Sequence, residues 1–362
     1  MTGGGVYPAL AVLQAVEDHM QQIMWIGSQS QMEPTLLQGY DLTYKAIPAA
    51  GLHGVGLLSV PGNLIQLVRG WRISSRLINQ FKPHVILYTG GYIGVPLAMA
   101  SKSIASVVFI PDVEPGFAHK FIQRKASFIA VSTPDSKGFI RAGAEISVTG
   151  YPVRKELLKW NYVSGRQYFG IPEGVPTILV FGGSKGARSI NRALASILEK
   201  LLREMHVIHI SGLDNWDEVQ TSCQTLTGDL AQRYHAFPFM RDEMGAAFAA
   251  ADLAVCRAGA STLGELPAFG LPAILVPYPH AWRYQARNAH FLAQRGGAVM
   301  LDDNAMRLSL LDKIFEIIRN PTRLNKMKSA MQHLFVPDAA VNIAGLLIQA
   351  SAYAIQEEKE NG

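Results

Sequence analysis

Cysteine is scarce in this chain of 362 residues, where Cys223 and Cys256 are the whole supply. They form no Cys-x-x-Cys pair, which excludes a zinc ribbon and a disulfide framework and makes a reducing compartment the default. No run of eighteen apolar residues and no signal peptide is found, so no membrane-spanning segment is expected. Charge is thin at 17% of residues, and acidic groups number 28 against 33 basic ones. No dense lysine and arginine run or basic stripe interleaved with aromatics occurs, which argues against nucleic acid as a partner. The net charge of +5 suits an anionic small ligand or an anionic membrane surface. No Asp-x-Asp metal motif stands at an expected strand end, and the glycine-rich turns lack both G-x-G-x-x-G and P-loop spacing.

Apolar residues are plentiful at 49%, enough for a large core, and the length is comfortable for two domains. Short apolar runs bounded by polar residues predict buried parallel strands at 23–26, 42–47, 84–88, 106–110, 127–131 and 147–148. Gly150-Tyr151-Pro152-Val153-Arg154 marks a break, and the polar stretch Lys155–Pro176 reads as an irregular interdomain linker. A second alternation has strands at 177–181, 207–210, 234–237, 253–256, 273–276 and 298–301. Helix is expected from Leu308 to about Gln356, broken near Pro337, its last part crossing back to the first half. The expected domains are therefore 1–154 joined by a helix at about 338–357, and 155–337. Each is an α/β alternation whose strand ends carry glycine.

The chain opens on Met1-Thr2-Gly3-Gly4-Gly5-Val6-Tyr7-Pro8, a glycine-rich loop feeding a helix with Pro8 at its first turn. Such loops let backbone N–H groups approach a phosphate or sugar, but they normally follow a strand. The reading favoured here is that the first, central strand of this sheet is missing; the plainer one is a flexible terminus. From Leu57 to Ile78, apolar residues alternate with Arg69, Arg72 and Arg76 and no acidic residue. Periodicity predicts a helix on the sheet with its arginines in water. A sharper reading adds that the loop near Leu57–Val60 rests on an anionic bilayer.

The stretch Ala251–Asn288 gathers the most chemistry. Two successive strand ends bring Ser261, Thr262, Glu265, Gln285 and Asn288 to one sheet edge, with Ser261 and Thr262 as candidate N-caps. In open α/β sheets, ligands bind outside the carboxyl ends of the strands. A carboxylate and two amides there suit the hydroxyls of a sugar; the plainer alternative is an ordinary repeat with helix caps. The turn Gly182–Ala187 opens a helix whose N–H groups suit a diphosphate better than an ATPase site.

Taken together, T-G-G at Thr2–Gly4, T-G-G-Y at Thr89–Tyr92 and G-Y-P-V-R at Gly150–Arg154 are joined by F-G-G-S-K-G-A-R-S-I-N at Phe181–Asn191. C-R-A-G-A-S-T-L-G-E at Cys256–Glu265 and Q-A-R-N-A at Gln285–Ala289 complete the set. This combination resembles the MurG family of N-acetylglucosaminyltransferases, which convert lipid I to lipid II in peptidoglycan synthesis, and it spans nearly the whole chain. The resemblance implies a GT-B fold, two Rossmann-like lobes with parallel sheets and an active site in the cleft between them. It implies UDP-N-acetylglucosamine as donor substrate, an undecaprenyl-linked muramyl-pentapeptide as acceptor, and a peripheral place on the cytoplasmic face of the cell membrane.

Carried onto this sequence, the resemblance puts Thr2, Gly3, Gly4 and Tyr92 on the substrate side of the first lobe. Arg154, Ser184 and the amides of 183–187 would hold the diphosphate. Ala260, Ser261, Thr262, Leu263 and Gly264 would clasp the nucleotide, with Glu265 on the ribose hydroxyls. Met240 would offer backbone to the uracil, and Gln285 and Asn191 would meet the sugar. The chain departs from the family at Gly5, where a histidine is expected, at Ile110 and Asp112, where Glu and Asn are, and at Tyr284, where His is common. The expected reaction is an inverting transfer without a cofactor or metal. Asp112 is the candidate base, with Glu114 and His119 behind it; a cap on the Pro115-Gly116 turn is the equal alternative for Asp112. Rival readings are another glycolipid acceptor, or a UDP-sugar-binding homologue impaired in catalysis.

Overall fold

The structure, a computed structural model, describes residues 3–28, 32–49, 60–101, 104–183, 186–281 and 283–361. It divides into two compact units, Met1–Pro152 with Asp338–Gly362, and Val153–Pro337. The border thus falls two residues before the expected one at Arg154.

Unit 1 runs α1 (Gly3–Val16), β1 (Met24–Gly27), α2 (Met32–Leu36), β2 (Thr43–Ala46), α3 (Val60–Phe81) and β3 (Val85–Tyr88). It continues with α4 (Gly91–Ala100), β4 (Ala105–Ile110), α5 (Phe117–Ile122), β5 (Phe128–Val131) and β6 (Ile146–Val148). Among the described residues the strands fall into two parallel sheets, β1-β2 and β3-β4-β5-β6. Val107–Ile110 and Ile129–Val131 are buried throughout, as a parallel sheet covered on both faces requires. The first helix begins at Gly3, so Pro8 lies inside it and not in its first turn. A proline there cannot donate the backbone hydrogen bond to the residue four earlier that a helix interior otherwise makes.

Unit 2 opens with α6 (Lys155–Leu158) and α7 (Tyr162–Phe169), where an irregular linker was expected. Polar residues conceal why they pack. Gly165 lies so close to Ala246, Ala249 and Ala250 that a Cβ would collide with backbone. Arg166 is buried, its Nη2 donating to Asp252 Oδ2 at 2.8 Å and its Nη1 to the carbonyls of Pro172 and Val175. Then follow β7 (Thr177–Phe181), α8 (Arg188–Leu202), β8 (His206–Ile210), α9 (Trp216–Gln224), α10 (Gly228–Gln232), β9 (Tyr234–Phe237) and α11 (Met244–Ala250). The unit ends with β10 (Leu253–Cys256), α12 (Glu265–Ala268), β11 (Ala273–Leu275), α13 (Tyr284–Gln294), β12 (Ala298–Met300), α14 (Met306–Ile318) and α15 (Pro321–Leu334).

The six strands of unit 2 are all parallel, in the order β12-β11-β10-β7-β8-β9. From β7 the chain winds outward in one direction through β8 and β9, then returns beside β7 with β10 and winds the other way. The reversal falls between β7 and β10, the switch point at which such sheets bind ligands. Beneath it Ile190, Leu194, Leu198 and Leu201 of α8 and Leu310, Ile314 and Ile317 of α14 share one core with the sheet.

The last helix, α16 (Ala339–Asn361), packs on α1, β3 and β4 of unit 1. Residues 321–353 include a window of mean hydropathy 1.4, a span that inspection of unbroken apolar runs passes over. The chain leaves helical geometry at Phe335, so this span is two helices, α15 and α16.

Candidate functional site

The site is built on the carboxyl ends of β7, β10 and β11, neighbours in one sheet. After β7 the chain turns through Gly182 and Gly183 to Gly186, with Gly183 at φ 85° and Gly186 at φ 75°, left-handed conformations natural to glycine. A Cβ on Gly182 would strike the backbone of Ala187, and one on Gly186 the carbonyl of Ser211. Gly182 and Gly186 are therefore packed so closely on backbone that neither leaves room for a side chain. The loop delivers α8, whose N-cap Ala187 offers no side-chain acceptor to the amides of the first turn. Aligned peptide dipoles make that end positive and suited to an anion.

After β10, Gly259 leads a short 3-10 turn, Ala260–Leu263, and Gly264 caps α12. Ser261 and Thr262 are not the N-caps expected of them. The Thr262 hydroxyl donates to the Gly259 carbonyl at 2.6 Å, and the Ser261 hydroxyl bonds the carboxylate of Glu265. Ala260, Thr262, Leu263 and Gly264 are buried, so what this turn presents is backbone together with Ser261 and Glu265. Part of the Glu265 side chain stays accessible, yet protein surrounds its carboxyl group. Burial pushes its pKa up to about 7, against the pull of the Ser261 hydroxyl and the Arg154 charge.

Arg154 is buried and precedes α6. Its Nη1 donates to Asp242 Oδ1 at 3.0 Å and its Nη2 to the Arg241 carbonyl at 3.3 Å. Asp242 is half exposed, and Met240 beside it is buried. One guanidinium thus links the loop after β9 to the neighbourhood of Glu265. After β11, Gln285 Oε1 accepts from the Tyr278 amide at 2.8 Å, which leaves its NH2 group to donate to a ligand.

Two expected ligands turn inward instead. Asn191 is buried, its Nδ2 donating to the Ser211 carbonyl at 2.9 Å and its Oδ1 meeting His209 Nε2 at 3.1 Å. It braces the β8 turn and does not face a sugar. His209 in turn meets the Tyr234 hydroxyl at 2.7 Å, and burial holds its pKa down to about 3, so it acts as a neutral bridge. Asn288 is fully buried and ties α13 to the Ala258 carbonyl at 3.1 Å.

Arg257 was legible only as part of a turn, and the structure makes it the hub of this edge. Its Nη1 donates to the carbonyls of Val276 and Pro277 and pairs with Asp303 Oδ1. Its Nη2 donates to Ser189 Oγ at 2.7 Å, and Ser189 donates to Asp303 at 2.9 Å. The guanidinium also lies over the Tyr278 ring, 5.2 Å from its centroid.

On unit 1, Gly3 and Gly4 lie in the first turn of α1, and Tyr92 is exposed in the first turn of α4. Ile110 ends β4 fully buried, a core position. Asp112, just beyond, is partly exposed. Glu114 is buried and pairs with Lys120 Nζ at 3.4 Å; His119 is buried, held neutral with a pKa pushed down to about 4. Burial removes both from the role of base that had placed them behind Asp112. Thr2 and Ser184 lie outside the described residues, as does the loop 57–59.

Comparison with known proteins decides the family. The Glycosyltransferase family 28 N-terminal domain matches residues 2–131 and the C-terminal domain residues 177–343. A UDP-N-acetylglucosamine--N-acetylmuramyl-(pentapeptide) pyrophosphoryl-undecaprenol N-acetylglucosamine transferase of Roseiflexus sp. (strain RS-1) is 37% identical, over 96% of this chain and 92% of its own. The chain belongs to glycosyltransferase family 28. A protein of the same name from Desulforudis audaxviator is 34% identical over 96% of this chain and 95% of its own. Among solved structures, Acinetobacter baumannii MurG superposes with a TM-score of 0.73 at 25% identity, covering 96% of both chains. A UDP-GlcNAc 2-epimerase from Neisseria meningitidis shares the fold at TM-score 0.67 and 14% identity. The two parallel-sheet units of this family 28 chain are thus those of a GT-B glycosyltransferase.

Glu265 gives this edge a pH signature. A carboxyl whose folded pKa lies above the ordinary 4.5 binds its proton more tightly when folded, so stability is present at low pH and lost as pH rises through about 7. Thermal melts of the ligand-free protein should fall between pH 5 and 8, and Glu265→Gln should flatten that fall. An equal fall in the variant would contradict the assignment.

Proposed function

We propose that this chain transfers N-acetylglucosamine from UDP-N-acetylglucosamine to the C4 hydroxyl of a lipid-linked N-acetylmuramyl-pentapeptide. The observation that carries the reading is the buried Glu265 carboxyl, within the field of the Arg154 charge, on the chain that follows β10, beside the end of β7 that leads to α8. These supply a diol acceptor, a guanidinium and an anion cradle. The relatives' shared name over nearly their full length supports the same substrates.

In this reading the ribose hydroxyls donate to Glu265, the uracil takes backbone bonds near Met240, and the Gln285 amide meets the sugar. The diphosphate takes the α8 amides and Arg154, whose present partner Asp242 is exposed enough to give way. The acceptor oxygen attacks the anomeric carbon from the face opposite UDP, its bond forms as the bond to the diphosphate oxygen breaks, and configuration inverts. UDP leaves with the electron pair; the acceptor proton passes to the Asp112 carboxylate. Charge gathering on the leaving diphosphate meets donors already in place, so the proposed reaction needs no metal. A second reading, donor binding without transfer, is favoured by Gly5 where the family pattern has histidine.

Incubation with UDP-N-acetylglucosamine and a lipid I analogue should yield the disaccharide lipid. Asp112→Asn should slow turnover about a hundredfold or more with donor affinity unchanged. Binding without product would move the chain to the second reading, and full activity in the variant would move the base elsewhere.

The acceptor's lipid places this protein on a membrane surface, as a peripheral protein of the cytoplasmic face. Support comes from α3, where Leu64, Ile65, Val68 and Trp71 are all exposed on a helix that also carries Arg69, Arg72 and Arg76. Apolar side chains and arginines together suit an anionic interface. Leu64→Glu with Ile65→Glu should weaken sedimentation with anionic vesicles at least tenfold and leave donor binding intact. Undiminished sedimentation would remove α3 from the contact.

A further inference from the structure

A groove of about 560 Å³ lies in unit 2 between the first half of α8 and the start of α14. That volume suits a small organic ligand. One wall is the face of α8 that carries Arg188, Arg192 and Ser196 at successive turns. The other holds Asp303 and Arg307, on either side of the α14 start. Ala193 and Met306 also line the groove and are buried, so its floor is apolar while its rim is charged.

The rim carries more positive charge than the chain itself satisfies. Arg188 and Arg192 are exposed, and both turn their Nε to one carboxylate, Glu218 of α9, at 3.2 and 2.8 Å. Their Nη1 and Nη2 groups are left to donate to a ligand. Arg307 is exposed and makes no hydrogen bond or ion pair among the described residues. Asp303, the acid of the lining, is already engaged: its Oδ1 pairs with Arg257 and accepts from Ser189. Like charges four residues apart on a helix repel, and cations in a first turn oppose the helix dipole. An anion entering the groove would relieve both costs.

A phosphate ester answers this arrangement better than a carboxylate. It presents three terminal oxygens in three directions and a charge of about −2 at pH 7, where a carboxylate presents two oxygens in one plane and a single charge. Glu218 already holds two of the guanidiniums in place, so they lose little freedom on binding. An organic body on the ester would cover Ala193 and Met306.

We propose that this groove binds a small, soluble phosphate ester, its phosphate held by Arg188, Arg192 and Arg307 and its organic body resting on Met306. None of the side chains assigned to the nucleotide sugar, those of Glu265, Arg154 and Gln285, lines it, so the site stands whether or not the sheet edge takes that donor.

The test follows the Met306 methyl by NMR in the full chain labelled at methionine, the signal being identified by its loss in Met306→Leu. Phenyl phosphate should shift it saturably. Arg192→Gln with Arg307→Gln, both on the surface, should raise the midpoint about tenfold or more. Arg154→Ala should leave the midpoint unchanged, inorganic phosphate should need a higher concentration than the ester, and benzoate should leave the signal in place. No shift with phenyl phosphate, an equal midpoint in the double variant, or a shift lost in Arg154→Ala would overturn the proposal. So would equal midpoints for the ester and inorganic phosphate, or an equal shift with benzoate. A shift produced by phosphatidylglycerol vesicles or an acidic peptide, but not by phenyl phosphate, would also overturn it and give the groove to a membrane or a protein.

Discussion

The guanidinium of Arg257 holds four segments of the unit 2 sheet edge in one place: the end of β10, the end of β11, the start of α8 and the Asp303 turn. Of the groups assigned to the donor, the α8 amides and the turn that ends in Glu265 stand on these segments, and Gln285 bonds the Tyr278 amide just past β11. A cation beside the positive end of α8 is unfavourable by itself, and Asp303 offsets it through both Arg257 and Ser189. The pair is largely buried, and removing one partner from such a pair typically costs about 3–5 kcal/mol because a buried charge is left alone. The same economy recurs at Arg154 with Asp242. The edge is thus rich in positive potential that internal carboxylates hold in check, a state suited to an incoming diphosphate.

Much of this was legible in the sequence, because parallel strands buried on both faces write themselves as short apolar runs. Thr177–Phe181 and Leu253–Cys256 were readable for that reason, and the glycines after β7 because no other residue fits their geometry. What sequence could not yield is the direction of a side chain. Asn191 and Asn288 lie one helical step from the site in sequence, and both turn inward to satisfy buried carbonyls. The polar stretch after Arg154 hid two helices, since Gly165 packs by having no side chain and Arg166 by finding an internal acid. Arg257 escaped notice because its partners are carbonyls and an acid far along the chain, a pattern with no local spacing.

The two units differ in how completely their edges are furnished. Unit 2 has a central strand, a glycine turn, a helix start and a carboxylate in register at its switch point. In unit 1 Ile110, at the end of β4, lies in the core, and beyond it Asp112 is partly exposed while Glu114 and His119 are buried. Burial leaves Asp112 as the accessible carboxylate of that edge segment. It also explains how Ile110 is accommodated: the position faces the sheet core, where an apolar side chain packs without an unmet polar group.

The central claim is that the carboxyl edge of β7 and β10 seats a uridine diphosphate sugar, with Glu265 on the ribose and Arg154 on the diphosphate. Calorimetric titration of UDP-N-acetylglucosamine into the protein and into Arg154→Ala tests it most directly. Saturable one-to-one binding that weakens at least tenfold in the variant is the predicted result; no binding heat, or equal affinity in both proteins, would contradict the account.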